Sequence, residues 1–338
     1  MQKITVSRNE AGQRLDKLLA KYLSAAPKSF FYKMLRKKNI KLNGKKAEGN
    51  EKLALGDTIE LFLSDETIEK FSGNKNAVQA ELASARKKGC QLDILYEDAH
   101  VLLLNKPAGM LSQKADNATL SINEYMIAYL LESGQLKEEE LKSFKPSVCN
   151  RLDRNTSGLL AAGKSLAGLQ QLGELFRERT MEKYYLTIVN GTVKEDEYIR
   201  GYLKKDERTN KVTILDTPEA DAQPIETAYH PLAANGNLTL LEVHLITGRT
   251  HQIRAHLASR GHAVIGDSKY GSAGVNAPFK AKYRLNHQLL HAWRMEFPET
   301  GDALAGLSGR TVFAPLPKLF KRIMKGERLS WEPGTQED

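Results

Sequence analysis

Asn150-Arg151-Leu152-Asp153-Arg154-Asn155-Thr156-Ser157-Gly158 is the stretch on which the reading of this chain turns. It sets a carboxylate, Asp153, between two guanidinium groups, Arg151 and Arg154, in a turn-rich loop between a helical region and a buried strand. Positive charge on both sides favours the ionised carboxylate, which suits a nucleophile or base acting on an anionic substrate. A second account is open on these residues alone. Arg-x-Asp-Arg also occurs as an ordinary surface ion-pair cluster, and Thr156-Ser157-Gly158 also fits a simple turn.

Upstream, residues 92–110 (LDILYEDAHVLLLNKPAGM) read as strand, acidic turn, buried strand and Pro-Gly loop. Downstream, strand-like segments at Leu159 to Ala162, Tyr184 to Val189 and Leu238 to His244 alternate with helical ones such as SLAGLQQLGELFRER (165–179). Several strands follow one another without helices, so a mixed α+β sheet is expected rather than a doubly wound one. Four histidines, His244, His251, His256 and His262, raise the question of a metal hydrolase. His251 and His256 are five apart, which on a helix separates them by about 140°, whereas zincin ligands sit four apart on one face. His287 and His291 have the four-residue spacing but lack the intervening Glu, and HQLLHAWRMEF has as much strand as helix character. No metal site is expected. A zinc nucleobase deaminase needs Pro-Cys-x-x-Cys, which this chain lacks.

The 338 residues exceed what one core usually organises, so one small domain plus one of enzyme size is expected. With 41% apolar and 27% charged residues, the composition is that of a soluble globular protein. No apolar run approaches the roughly 18 residues of a membrane span, and charges occupy the place of a signal peptide's apolar segment. Cys90 and Cys149 lie too far apart in sequence to suggest a disulfide framework, which fits a reducing cytoplasm. The net charge is +9, from 50 Lys and Arg against 41 Asp and Glu. Lys28, Lys33, Arg36, Lys37, Lys38, Lys41, Lys45 and Lys46 fall in one segment without an acid, and removing these eight leaves 42 basic against 41 acidic residues. A patch of that kind suits a polyanion, the alternative being a solvated face without a partner.

The segment bearing this patch reads as helix, helix, turn, strand. Leu15, Leu18, Leu19, Tyr22 and Leu23 give one helix an apolar face, and Phe30, Met34 and Phe31, Leu35 repeat at four-residue steps in a second. Asn43-Gly44 signals a hairpin. Ile59, Leu61 and Leu63 alternate with polar residues as in a half-buried strand. Residues 64–90 are polar and weakly periodic and read as a linker with one helical stretch.

Three blocks stand in register across the second domain. They are Arg151-Leu152-Asp153 with Thr156-Ser157-Gly158, Glu182-Lys183-Tyr184-Tyr185-Leu186, and Ile246 to His256 (ITGRTHQIRAH) running on through Gly266-Asp267 to Tyr270-Gly271. Asn105 to Gly109 (NKPAG) and Phe313 to Pro317 (FAPLP) add to them. Together they resemble the RluA-type RNA pseudouridine synthases. The stretch from Gln13 to Leu63 similarly resembles the S4 RNA-binding domain, so that the basic run would lie on an RNA-binding arm. The resemblance implies a small α/β S4 module at 1–63, a linker at 64–90 and a mixed-sheet pseudouridine synthase domain at 91–338. It implies Asp153, Tyr185 and Arg254 as catalytic residues: the carboxylate acts on the target nucleotide, Tyr185 stacks on the flipped base, and Arg254 pairs with Asp153. Arg151, Arg154, Arg249 and His251 are implied to contact the substrate, and Lys28, Lys33, Arg36, Lys37, Lys38 and Lys41 to contact RNA through the module. No metal or other cofactor is implied, and the expected partner of this cytoplasmic monomer is ribosomal RNA. Transfer RNA as substrate, or a catalytically silent RNA-binding protein, are the alternatives. Two positions depart from the family pattern: Asn150 and Gln113 stand where the family usually has histidine.

Overall fold

A computed structural model describes residues 1–7, 9–72, 82–85, 87, 89, 91–114 and 119–332. Its N-terminal unit consists of β1 (Gln2–Thr5), α1 (Leu15–Tyr22), α2 (Lys28–Arg36), β2 (Ile40–Leu42), β3 (Lys45–Lys46) and β4 (Thr58–Leu61), with strand order β1-β4-β2-β3. The apolar periodicity forms these elements: Leu15, Leu18 and Leu19 of α1 and Phe31 and Leu35 of α2 are buried against Ile40, Ile59 and Leu61. Deleting the side chain at one of these positions, as in Leu18→Ala, would cost on the order of 2 to 5 kcal/mol. Asn43 and Gly44 both take positive φ, 51° and 73°, which suits the two-residue turn between β2 and β3. The core reaches beyond Leu63: α3 (Asp65–Phe71), started by Ser64, whose hydroxyl accepts from the Thr67 amide, contributes Ile68 and Phe71. The linker expected from residue 64 therefore begins with a helix of the module; residues 73–81, 86, 88 and 90 of that stretch, with Cys90, lie outside the described residues.

Chain order in the second unit is β5 (Ile94–Glu97), β6 (Val101–Lys106), α4 (Ile122–Glu132), β7 (Ser147–Val148), β8 (Ser157–Gly163), α5 (Leu166–Glu178), β9 (Glu182–Asn190), β10 (Glu197–Asp206), β11 (Lys211–Leu215), β12 (Gln223–Ala234), β13 (Leu238–Leu245), α6 (Gln252–Ser259), α7 (Ala273–Tyr283), β14 (Leu290–Glu296), β15 (Thr311–Phe313) and α8 (Lys318–Gly326). The strands form one sheet in the order β11-β10-β12-β13-β9-β14-β8-β6-β5, with β15 on β14 and β7 on β8. All pairs are antiparallel except β14 with β8, so the sheet is mixed, as the succession of strands predicts. On one face the core gathers Leu103, Met126, Leu160, Leu172 and Val189. On the other, Leu186, Ile188, Leu240 and Trp293 meet α7 and α8.

The parallel junction positions the site. Gly158 lies where β8 runs beside β14, with φ 111°, and a Cβ there would stand 2.0 Å from the Ala292 carbonyl oxygen. Only glycine fits so close a backbone approach. The glycine of Thr156-Ser157-Gly158 thus lets the loop bearing Asp153 enter the sheet centre. The two units also touch, through the Ser143 hydroxyl, which donates to the buried carboxylate of Glu10, and the Leu166 amide, which donates to the Asn9 side chain. No helix of the described residues is long and apolar enough to cross a membrane.

Candidate active site

The loop carrying Asp153 is held by its backbone. Ser112 grips Leu152 twice, its hydroxyl donating to the Leu152 carbonyl at 2.9 Å and accepting from the Leu152 amide at 3.0 Å. The Arg154 carbonyl accepts from the Gly109 amide at 2.8 Å and from Lys106 Nζ at 3.1 Å. Lys106 is fully buried and also donates to the carbonyls of Pro107 and Met110, which uses the three N–H bonds of an ammonium. Burial pushes its pKa down to about 7, against the pull of the Asp153 charge. The Lys-Pro-x-Gly segment is thus the floor under the Asp153 loop. Asn150 and Gln113 support the same region: the Asn150 side chain donates to the Leu159 carbonyl and accepts from the Ala161 amide, and Gln113 donates to the Val148 carbonyl.

Asp153 faces Arg254 rather than its sequence neighbours. Arg254 Nη1 donates to Asp153 Oδ2 at 2.7 Å, while Nε and Nη2 donate to the two oxygens of Asp267 at 2.6 and 3.0 Å. Asp267 is completely buried and Arg254 nearly so. Burial works against the Arg254 charge, but the bonds and charge of Asp267, reinforced by Asp153, hold the guanidinium well above its ordinary pKa. Desolvation likewise raises Asp267, and Arg254 outweighs it and keeps its carboxyl below the usual range. The Tyr270 ring completes the setting, 5.3 Å from the Arg254 guanidinium carbon. A bidentate pair desolvated in this way fixes geometry as well as charge.

The cleft above Asp153 is lined by Arg151, Tyr185, Arg249 and His251 among others, so these four of the expected residues converge with Arg254. Tyr185 on β9 is buried, and its hydroxyl is pushed upward in pKa first by burial and then by the Asp153 charge. His251 Nε2 lies 3.9 Å from Asp153 Oδ2, and burial above all lowers its pKa. The Gln252 side chain builds the turn before α6: its Oε1 accepts from the Thr247 hydroxyl and the Arg249 amide, and its Nε2 donates to the Thr227 hydroxyl and the Glu226 carbonyl. Arg154 is not brought into the cleft. Its Nε donates to the Gly109 carbonyl at 3.0 Å, so the expected guanidinium on that side of Asp153 serves the loop instead.

The sequence alone assigns no role to Asp267, Lys106, Ser112 or Tyr270. Asp267, Tyr270 and Lys106 stand inside the family-like motifs, which is the only signal they give; nothing about Ser112 announces its hold on Leu152. His287 and His291 do not form a ligand pair: His291 lies on β14, buried between the Ser157 hydroxyl at 2.8 Å and the Ala314 carbonyl at 3.1 Å. Among the described residues no group of three or more His, Cys, Asp or Glu is arranged to hold a metal ion. Two larger hollows, of about 280 and 500 Å³, lie behind Lys106 and beneath Trp293 and Trp331, and neither is lined by an arginine.

In the N-terminal unit Lys28, Lys33, Arg36, Lys37 and Lys38 are exposed, and Lys41 lies 5.0 Å over the ring of the exposed Phe62. Tyr32 is exposed on α2, the helix that carries Lys28, Lys33 and Arg36. Cations interleaved with exposed aromatics suit contact with a nucleic acid.

Comparison with known proteins agrees with both units. The sequence model described as RNA pseudouridylate synthase matches residues 100–259, and that of the S4 domain matches residues 13–59. The chain is 30% identical over 334 residues to the ribosomal large subunit pseudouridine synthase C of Vibrio vulnificus, covering 98% of each chain. It is 32% identical over 329 residues to the protein of that name from Haemophilus ducreyi, covering 96% of this chain and 95% of the relative. Among solved structures, human RNA pseudouridylate synthase domain containing 4 shares the fold with a TM-score of 0.57 at 22% identity, covering 76% of this chain and 99% of the other. With matching motifs and similarity along nearly its whole length, the chain belongs to the RNA pseudouridylate synthase family, isomerases acting on RNA.

Proposed function

We propose that this chain converts specific uridines of large-subunit ribosomal RNA to pseudouridine, with Asp153 as the catalytic carboxylate, acting as a cytoplasmic monomer without metal or other cofactor. The observation that carries the reading is the relay Asp153, Arg254, Asp267: a carboxylate in an open cleft, with one oxygen fixed at 2.7 Å by a guanidinium that a buried acid locks from behind. The ribosomal substrate is supported by the names of relatives that cover nearly the full chain. The exposed cations of residues 1–63 supply the means to hold structured RNA.

The reaction breaks the bond from uracil N1 to C1′, turns the base within the pocket, and joins C5 to C1′. The C5 proton is lost and N1 gains one, so the net change is an isomerisation. A base must leave its stack to reach a side chain in a cleft, which costs a few kcal/mol. Tyr185 beside Asp153 offers the base an aromatic surface, and the exposed Arg151 and Arg249, which also line the cleft, suit the phosphates flanking the nucleotide. Arg254 keeps the Asp153 oxygen aimed at the nucleotide.

The test is tritium release from RNA labelled at uridine C5, together with mapping of pseudouridine in ribosomal and transfer RNA from cells with and without the protein. Loss of sites in large-subunit ribosomal RNA is expected. Loss confined to transfer RNA would move the substrate and leave the chemistry standing. No lost site and no tritium release from any RNA would make the chain a silent RNA-binding protein.

A further inference from the structure

Tyr270 touches both residues that flank the Asp153 carboxylate, His251 and Arg254, and its hydrogen bonds fix where the protons of this corner can sit. Its hydroxyl oxygen accepts from the Val212 amide at 2.9 Å and lies 3.0 Å from His251 Nδ1. Its ring meets the His251 ring edge-on at 5.7 Å and faces the Arg254 guanidinium. The strand that supplies Val212 is itself fastened nearby, because Lys269 Nζ donates to the carbonyls of Thr209 and Asn210.

A phenol has one proton to give. Burial keeps the Tyr270 hydroxyl protonated, and burial disfavours protonation of His251, so the imidazole carries a single N–H. If that N–H were on Nδ1, the Tyr270 oxygen would accept twice and its own proton would face no acceptor among the described residues. If it is on Nε2, the Tyr270 proton goes to Nδ1, and both bonds of the hydroxyl are satisfied. Which nitrogen carries the hydrogen follows from this network, as it does for any histidine whose hydrogens are assigned. The Nε2–H then faces the cleft 3.9 Å from Asp153 Oδ2, too far to be spent on that oxygen. His251 also has a left-handed backbone, φ 55°, at the start of α6. A non-glycine residue held there carries a cost that the surroundings must outweigh.

We propose that Tyr270 is a positioning residue that holds His251 as its Nε2–H tautomer, so that His251 presents a hydrogen-bond donor beside Asp153 to an acceptor oxygen of the bound uridine. The proposal rests on the reading of this cleft as the uridine site. It makes Tyr270 serve both flanks of the carboxylate, with its ring against Arg254 and its hydroxyl on His251.

Tyr270→Phe separates the two services, since it keeps the ring and removes only the hydroxyl. The expected result is a loss of roughly tenfold in kcat, the scale of one hydrogen bond, with RNA affinity unchanged. Nitrogen-15 spectra of histidine-labelled protein should show the Nε2–H pattern for His251 in the wild type and its loss in Tyr270→Phe. A side-chain swap gives a second readout: Gln at 251 carries an amide nitrogen near the place of Nε2, and Asn carries one near Nδ1. His251→Gln should retain more kcat than His251→Asn, by about fivefold or more on the same hydrogen-bond scale. An Nδ1–H signal in the wild type, undiminished kcat in Tyr270→Phe, or His251→Asn as active as His251→Gln would each overturn the proposal. Tritium release by the wild type that Asp153→Asn abolishes keeps the uridine reading intact in those cases. A wild type that releases no tritium from any RNA overturns that reading and the donor role together, and the nitrogen-15 spectra then judge only the tautomer.

Discussion

The chain uses positive charge in two opposite ways. In the N-terminal unit Lys28, Lys33, Arg36, Lys37 and Lys38 stand in solvent on one helix and its end. In the cleft of the second unit a single guanidinium, Arg254, is buried between two carboxylates and an aromatic ring. Exposed cations act at a distance, are screened by salt, and add up one by one. A buried cation acts only at contact, and its removal strands partners that cannot return to water. Attraction can therefore be spread over many replaceable residues, whereas aiming a carboxylate depends on a few that cannot be exchanged.

The largest expected effect is at the buried end. Asp153→Asn should lower tritium release by about a thousandfold or more while RNA binding persists, since the amide keeps the shape and loses the reacting charge. Activity within tenfold of the wild type would remove Asp153 from the chemistry.

Next comes its partner. Arg254→Ala leaves Asp267 buried with no countercharge, and the expected cost is on the order of 3 kcal/mol of stability, together with a large loss of kcat and little change in RNA affinity. Urea titration and single-turnover kinetics would check it. A variant weakened in affinity alone would make Arg254 a phosphate ligand and collapse the contrast between the two regions.

A third expectation concerns Lys106 and pH. Its folded pKa of about 7 lies below the unfolded value, so between pH 7 and about 10 the unfolded chain binds the extra proton. Stability contributed at this site therefore rises with pH across that window, with a slope approaching about 1.4 kcal/mol per pH unit. Lys106→Met should lack that slope. Parallel slopes in the two proteins across pH 7 to 9 would show that the three carbonyls hold the ammonium charged throughout.

The smallest effects belong to the exposed end. Neutralising Lys33, Arg36 or Lys37 singly should leave kcat unchanged and reduce the salt dependence of RNA affinity by about 0.7 to 0.9 in logarithmic slope for each phosphate no longer neutralised. Removal of any one of them that abolishes turnover would mean that the module takes part in the chemistry.

The helices of the N-terminal unit, its Asn43-Gly44 turn and the strands at 157–163, 182–190 and 238–245 could be read from the chain because each depends on nearby residues: apolar spacing, two turn formers, short apolar runs. The mixed sheet followed from strands succeeding one another without helices. The start of the linker was not legible, because the polar residues of α3 hide Ile68 and Phe71, whose burial depends on the distant face they meet.

At the site, the sequence by itself left Asp153 open between a reacting carboxylate and a surface ion pair, and only the family resemblance singled it out together with Tyr185, Arg254, Arg151, Arg249 and His251. It could not assign Asp267 to Arg254, Lys106 to three carbonyls, or Ser112 to Leu152, and it set Arg154 beside Asp153 when that side chain turns to Gly109. Residue type and spacing carry information along one dimension, and they are enough where neighbours in sequence are neighbours in space. Which charges become partners depends on the parallel meeting of β8 with β14 and on the turn into α6, and these bring Asp153 to an arginine 101 positions away. Once water is excluded there, each buried polar group must take whatever partner the fold has brought within reach, and that choice was made only by the tertiary structure.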